Sequence, residues 1–168
     1  MISIAKPYAS EEEAAHVREV ILSGMMASGD VVHEFEHAFA AYCGAEFGVA
    51  TTNGTTALHA ALLSAGVKPG DEVIVPAFTF FATVGAIVRA GAKPVFADID
   101  PATFNIDPAK IEEKITSKTK AIIPVHLFGQ AADMDPIMEI AKANNLIVIE
   151  DACQAIGSEY KGKRVGSI

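Results

Sequence analysis

Cysteine is scarce in this chain, which carries only Cys43 and Cys153 among 168 residues and no CxxC pair. Two isolated thiols exclude a disulfide framework and fit a reducing cytoplasm. Positive charge is also in short supply. Thirteen Lys and Arg stand against twenty-one Asp and Glu, a formal net charge of −8. That balance argues against a nucleic-acid or anionic-membrane surface, although a helix N-terminus can bind phosphate without net positive charge. No apolar run approaches the roughly 18 residues that a membrane span requires. The start, Met1–Pro7, lacks the apolar stretch of a signal peptide. Repeats, low-complexity tracts and long linkers are absent too. What is present is an apolar majority, 51% against 20% charged residues, in a chain long enough to bury a real core. A soluble, cytoplasmic protein is expected.

Ser10-Glu11-Glu12-Glu13 has the form of a capping box and predicts a helix ending near Gly24. A second amphipathic helix carries Phe35, Phe39 and Tyr42 on one stripe, expected to be buried, and stops at Gly44. Beyond it the pattern alternates. Strands are predicted at 48–51, 72–75, 94–97, 121–125 and 146–150. Helices are predicted at 55–65, 82–90, 108–115 and 135–143, and a small hairpin turns at Lys161-Gly162. Such alternation implies a mainly parallel sheet with helices on both faces, a three-layer α/β/α architecture. The chain reads as an N-terminal helical segment over 1–44 followed by an α/β unit over 45–168. The unit stops at Ile168 without a closing helix, which predicts that it is the N-terminal portion of a larger protein.

Asn53-Gly54-Thr55-Thr56 lies at a predicted strand-to-helix turn. Gly54 permits close backbone approach, and the amides and hydroxyls of Thr55 and Thr56 would meet an anion at the positive end of the helix dipole. Neither GxGxxG nor GxxxxGK[ST] occurs. An equally good reading makes Asn53 a simple N-cap. Phe78, Phe80 and Phe81 follow another strand; there they could stack on a flat ring, or be core. Ile147–Glu150 delivers Asp151 to a strand end, where the chain is expected to turn into a helix. A carboxylate at that place can face a cationic group of a cofactor, such as the pyridinium nitrogen of pyridoxal phosphate. Asp151-x-x-Gln154 is also a helix-capping pattern. Cys153, with no adjacent His or Lys, reads as a small buried apolar residue.

His33-Glu34-Phe35-Glu36-His37 spells the H-E-x-x-H of zinc proteases. Both histidines fall in the charged sector of their helix and no third ligand follows, so a solvated polar face accounts for them and no metal is expected. His126 follows a strand and could orient substrate or serve structure; His16 and His59 fall on helices as packing or surface residues.

Taken together, these segments resemble the DegT-type (DegT/DnrJ/StrS) sugar aminotransferases of the fold-type I class of pyridoxal-phosphate enzymes. The matching residues run from Ala5-Lys6-Pro7-Tyr8 and Phe35-Glu36 through Asn53–His59 and Gly70–Pro76. They continue with Thr79-Phe80, Ala82-Thr83, Gly91–Val95, Asp98–Asp100, His126–Gly129, Asp133–Asp135 and Glu150–Gly157. The resemblance implies that 45–168 is an incomplete large domain of that fold, lacking the family's C-terminal small domain. It implies that Gly54, Thr55 and Thr56 bind the phosphate of pyridoxal 5′-phosphate (PLP), or of its pyridoxamine form (PMP). Phe80 would stack on the ring, Asp151 pair with the ring nitrogen, and Gln154 contact the ring hydroxyl. The implied chemistry moves nitrogen from a donor such as glutamate to a keto group of a nucleotide-linked sugar, in polysaccharide biosynthesis, by a homodimer. The family's Schiff-base lysine lies past Ile168, and Lys161 and Lys163 precede its position. A PMP-dependent sugar dehydratase, or a non-catalytic truncated product, are the alternative readings.

Overall fold

The computed structural model describes residues 7–168. Met1–Lys6, which include Ala5 and Lys6 of the first matching segment and most of the stretch read for a signal peptide, lie outside the described residues. Helix α1 (Glu11–Ser23) opens on the expected box: the Ser10 hydroxyl accepts from the Glu13 amide, and the Glu13 carboxylate accepts from the Ser10 amide. It closes at Gly24 in the left-handed region, and α2 (Asp30–Cys43) closes likewise at Gly44. The aromatic stripe of α2 corrects the sequence reading. Phe35, Phe39 and Tyr42 do stack along one face, with centroids 5.5 and 6.4 Å apart, yet all three are exposed. Helical spacing places side chains on one face but does not supply an element to cover it. What does lie over the stripe is the Arg164 guanidinium, 3.8 Å from the Tyr42 ring centroid.

The predicted strand at 48–51 does not form. The Ala50 amide donates to the Glu36 carboxylate at 2.8 Å instead of to a neighbouring strand, and Gly48 packs on the Glu36 carbonyl so closely that a Cβ would lie 2.5 Å from it. After this segment come α3 (Gly54–Ser64), β1 (Glu72–Pro76), α4 (Phe81–Arg89) and β2 (Lys93–Ala97). Then follow β3 (Thr119–Ile122), α5 (Met134–Ala143) and β4 (Ile147–Val148). The run 108–115 is two short 3-10 turns, Pro108–Lys110 and Glu112–Lys114, rather than one helix. Asp107 caps the first turn, and Ile115 has already returned to extended backbone. So few residues cannot repay helix nucleation. Strand β3 ends sooner than predicted because Pro124, with no N–H, cannot continue the ladder. β4 is likewise short, although Ile149 still donates to the Ile122 carbonyl at 3.0 Å.

The four strands are parallel in the order β2-β1-β3-β4. Strand alternation sorts the core into two layers. Val73, Val75 and Ala121 pack with Leu58 and Leu62 of α3 and Ile87 of α4. Ile74 and Ile122 face the other way, onto Met134, Ile137 and Ala141 of α5. The three-layer α/β/α expectation therefore holds. β1 has β2 on one side and β3 on the other, so the chain reverses its direction of travel across the sheet between them. The carboxyl ends of strands at such a switch point bound a crevice suited to ligands. The hairpin of β5 (Glu159–Tyr160) and β6 (Lys163–Arg164) forms as predicted, its turn residues Lys161 and Gly162 at φ 50° and 82°. No helix among the described residues is long and apolar enough to cross a membrane.

Candidate cofactor site at the sheet's carboxyl edge

A cavity of about 280 Å³ opens beyond the carboxyl ends of β1, β3 and β4. Gly54 and Thr55 reach it from the start of α3, Thr79, Phe80 and Thr83 from the start of α4, and Asp151, Cys153 and Gln154 from beyond β4. Residues separated by up to about a hundred positions thus meet because parallel strands all deliver their loops to one edge.

At the first wall, the two readings of Asn53 prove compatible. Its side chain accepts from the Thr56 amide at 3.0 Å, and the Thr56 hydroxyl accepts from the Asn53 amide at 3.2 Å. Thr56 also meets Thr52 at 3.0 Å. Its hydroxyl is thereby committed to capping the helix, and Thr55 is the threonine that lines the cavity. Gly54 begins α3 beneath Cys153, and a Cβ there would sit 2.5 Å from the Cys153 sulfur. Gly54→Ala is expected to destabilise the protein by about 1–3 kcal/mol through this overlap. Cys153→Ala in the same protein should recover most of the loss, since the Cys153 Cβ stands 3.9 Å away. Urea denaturation of the single and double variants measures this, and additive losses would refute the contact.

Asp151 is buried, 6% exposed. Its backbone joins the sheet edge: its amide donates to Pro124 at 2.9 Å, and its carbonyl accepts from the His126 amide at 3.0 Å. Its carboxylate accepts from the Thr83 hydroxyl at 2.7 Å and the Cys153 amide at 3.3 Å. These partners are a hydroxyl and an amide, and no cation among the described residues bonds to this buried carboxylate. The chain beyond Asp151 runs into turns, not the expected helix. The capping reading of Asp151 and Gln154 thus has no helix to cap. The Gln154 Oε1 instead accepts from the Phe128 amide at 3.1 Å, which leaves its NH2 group free to donate. Phe128 has φ 54°, a strained value for a bulky residue.

Phe78, Phe80 and Phe81 are not core. All are exposed, Phe80 to 59%, and the Phe80 ring lies 4.4 Å from that of Phe81. Cys153 corrects the sequence reading in part, because the residue is exposed rather than buried. Burial of its sulfur, then the hydrogen bond and charge of Asp151, push the thiol up to about 11, so it is a poor nucleophile at neutral pH. His126 is fully buried. Its Nδ1 accepts from the Ala132 amide at 3.0 Å and its Nε2 stands 3.0 Å from the Glu150 carboxylate, so it braces the fold rather than facing the cavity. In the H-E-x-x-H segment, His33 pairs with Glu36 at 3.1 Å, and that carboxylate also holds the Ala50 amide. Lys161 pairs with Asp135 outside the cavity.

Sequence reasoning gave Thr83 no role, yet it is the side chain that grips Asp151. Its signal was there: Thr79 and Thr83 stand four apart across the start of α4, so their hydroxyls share one face. They approach to 3.0 Å.

The chain is 61% identical over 150 residues to the pleiotropic regulatory protein of Geobacillus stearothermophilus, covering 89% of this chain and 40% of that one. It is 51% identical over 168 residues to GDP-perosamine synthase of Caulobacter vibrioides, covering 99% and 45%. The crystal structure of NtdA from Bacillus subtilis with bound cofactor PMP superposes with a TM-score of 0.82 at 43% identity, covering 88% and 35%. The chain thus spans less than half the length of these proteins. Its architecture is that of the fold-type I large domain. The profile of the DegT/DnrJ/EryC1/StrS aminotransferase family matches residues 7–168, and the chain belongs to that family.

Proposed function

We propose that this chain forms the cofactor-holding portion of a PLP-dependent aminotransferase. The proposed reaction passes nitrogen from an amino acid such as glutamate to a keto group of a nucleotide-linked sugar. The observation that carries the reading is Asp151, a buried carboxylate with no cation bonded to it among the described residues, opening on a cavity whose other wall is the N-terminus of a helix. The residues present fit four features of the cofactor. Gly54 and Thr55, at the positive end of α3, suit its phosphate. Phe80 offers a face to its flat ring, and the Gln154 NH2 group can donate to the ring hydroxyl. Asp151 supplies the anion that favours a protonated ring nitrogen. When bound, the cofactor supplies the electron-withdrawing ring that carries nitrogen between donor and acceptor. The reading assigns the covalent lysine to a part of the protein outside these residues.

The test is a spectroscopic titration of the full-length protein that carries this chain. PLP should bind saturably with an absorbance change. Glutamate should then convert the spectrum to that of PMP, and a nucleotide-linked keto sugar should reverse it. A loaded protein that neither glutamate nor the sugar affects would sink the reading.

A further inference from the structure

We infer that Thr83, relayed by Thr79, is the positioning residue that fixes the Asp151 carboxylate with its second oxygen aimed at the ring nitrogen of the cofactor; this rests on the proposed PLP reading.

The direction of the relay follows from counting protons. A threonine hydroxyl has one hydrogen to give and two lone pairs with which to accept. An ionised carboxylate only accepts, so the 2.7 Å contact between Thr83 Oγ1 and Asp151 Oδ2 uses the single Thr83 hydrogen. The 3.0 Å contact between Thr79 and Thr83 must then run from the Thr79 hydroxyl to Thr83 Oγ1. Each bond polarises the next, and the chain ends on the carboxylate. Thr83 is itself buried, 1% exposed. Its backbone is fixed in the first turn of α4, where its amide donates to the Phe80 carbonyl at 3.1 Å. With Oδ2 held by Thr83 and Oδ1 taking a long 3.3 Å bond from the Cys153 amide, Oδ1 keeps a lone pair to receive a ligand's N–H.

Among the described residues, the cavity lining supplies no charged substitute. The α3 wall presents Asn53, Gly54 and Thr55, the α4 wall Thr79 and Thr83, and the loop after β3 turns its His126 ring to Glu150. Cys153, on the same segment as Asp151, keeps its thiol protonated and adds no charge.

The experiment compares two ligands by calorimetric titration of the full-length protein: PMP, and its 1-deaza analogue, in which C–H replaces the ring nitrogen. Wild type should prefer PMP, and Asp151→Ala should abolish that preference. Thr83→Val should cut it about tenfold, the size expected from a hydrogen bond to a charged group, while leaving affinity for the deaza analogue near wild type. Thr83→Ser should restore the preference, and Thr79→Val should reduce it by less than Thr83→Val does. If Thr83→Val weakens both ligands equally, or if a poorly folded Thr83→Val leaves only a Thr79→Val protein of undiminished preference, the inference is wrong. A wild type that binds neither ligand, or shows no preference dependent on Asp151, overturns the PLP reading together with it.

Discussion

Asp151→Asn is expected to lower the proposed transamination rate by about 10²–10³, the scale on which a preorganised electrostatic partner contributes to catalysis. The substitution keeps the shape of the side chain and leaves an oxygen able to accept from Thr83, while it removes the charge and the second acceptor oxygen. Stability should behave oppositely. A buried carboxylate lacking a cation costs the folded protein desolvation energy. Its neutralisation should therefore leave the urea midpoint unchanged or raise it. Single-turnover rates and denaturation curves on the same preparations check both halves. An unchanged rate would remove Asp151 from the chemistry. A lowered rate accompanied by a large loss of stability would recast it as a structural residue.

The largest stability effect is expected at His126→Ala, which should cost about 2–4 kcal/mol. His126 joins the Ala132 amide on one side to Glu150 on the other, and Glu150 also accepts from the amides of Gly166 and Ile168, both at 2.8 Å. Burial alone pushes the Glu150 carboxyl up. The His126 hydrogen bond and the two amides outweigh it and hold the carboxyl below its ordinary value of 4.5. A carboxyl lowered by folding contributes stability that is complete above its unfolded value and is lost as pH falls through the folded one. The deficit of His126→Ala should therefore be full at pH 7 and should narrow below about pH 4.5. Equal deficits at pH 7 and pH 4 would show that Glu150 is not the group left stranded.

Much of this arrangement was legible because local rules and global fold agree. The Ser10 capping box, the glycine stops at Gly24 and Gly44, and the Lys161-Gly162 turn are set by their own backbone chemistry, and each forms as its sequence predicts. The layer order followed from alternation of strand and helix. Burial on α2 was not legible, since periodicity names a face and leaves its cover unspecified. The 48–51 segment failed for a related reason: Glu36, from another element, takes the amide that a strand partner would have used. At the site, Gly54, Thr55, Phe80, Asp151 and Gln154, singled out from the sequence, line one cavity. Thr56 caps its helix, and Thr83 went unassigned because its spacing from Thr79 marks a shared face while its partner Asp151 lies 68 residues away.

The backbone pairing of Asp151 with Pro124 and His126 also has a consequence for motion. Amides exchange with solvent through local openings, and those in loops ordinarily open at little cost. The Asp151 and His126 amides lie among turns but are bonded across the end of a parallel sheet whose middle strand is wholly buried. In deuterium exchange they should follow the slow amides of β1 and β3, while those of neighbouring Gln154 and Ile156 exchange early. The carboxylate would then keep its place while the turns around it breathe.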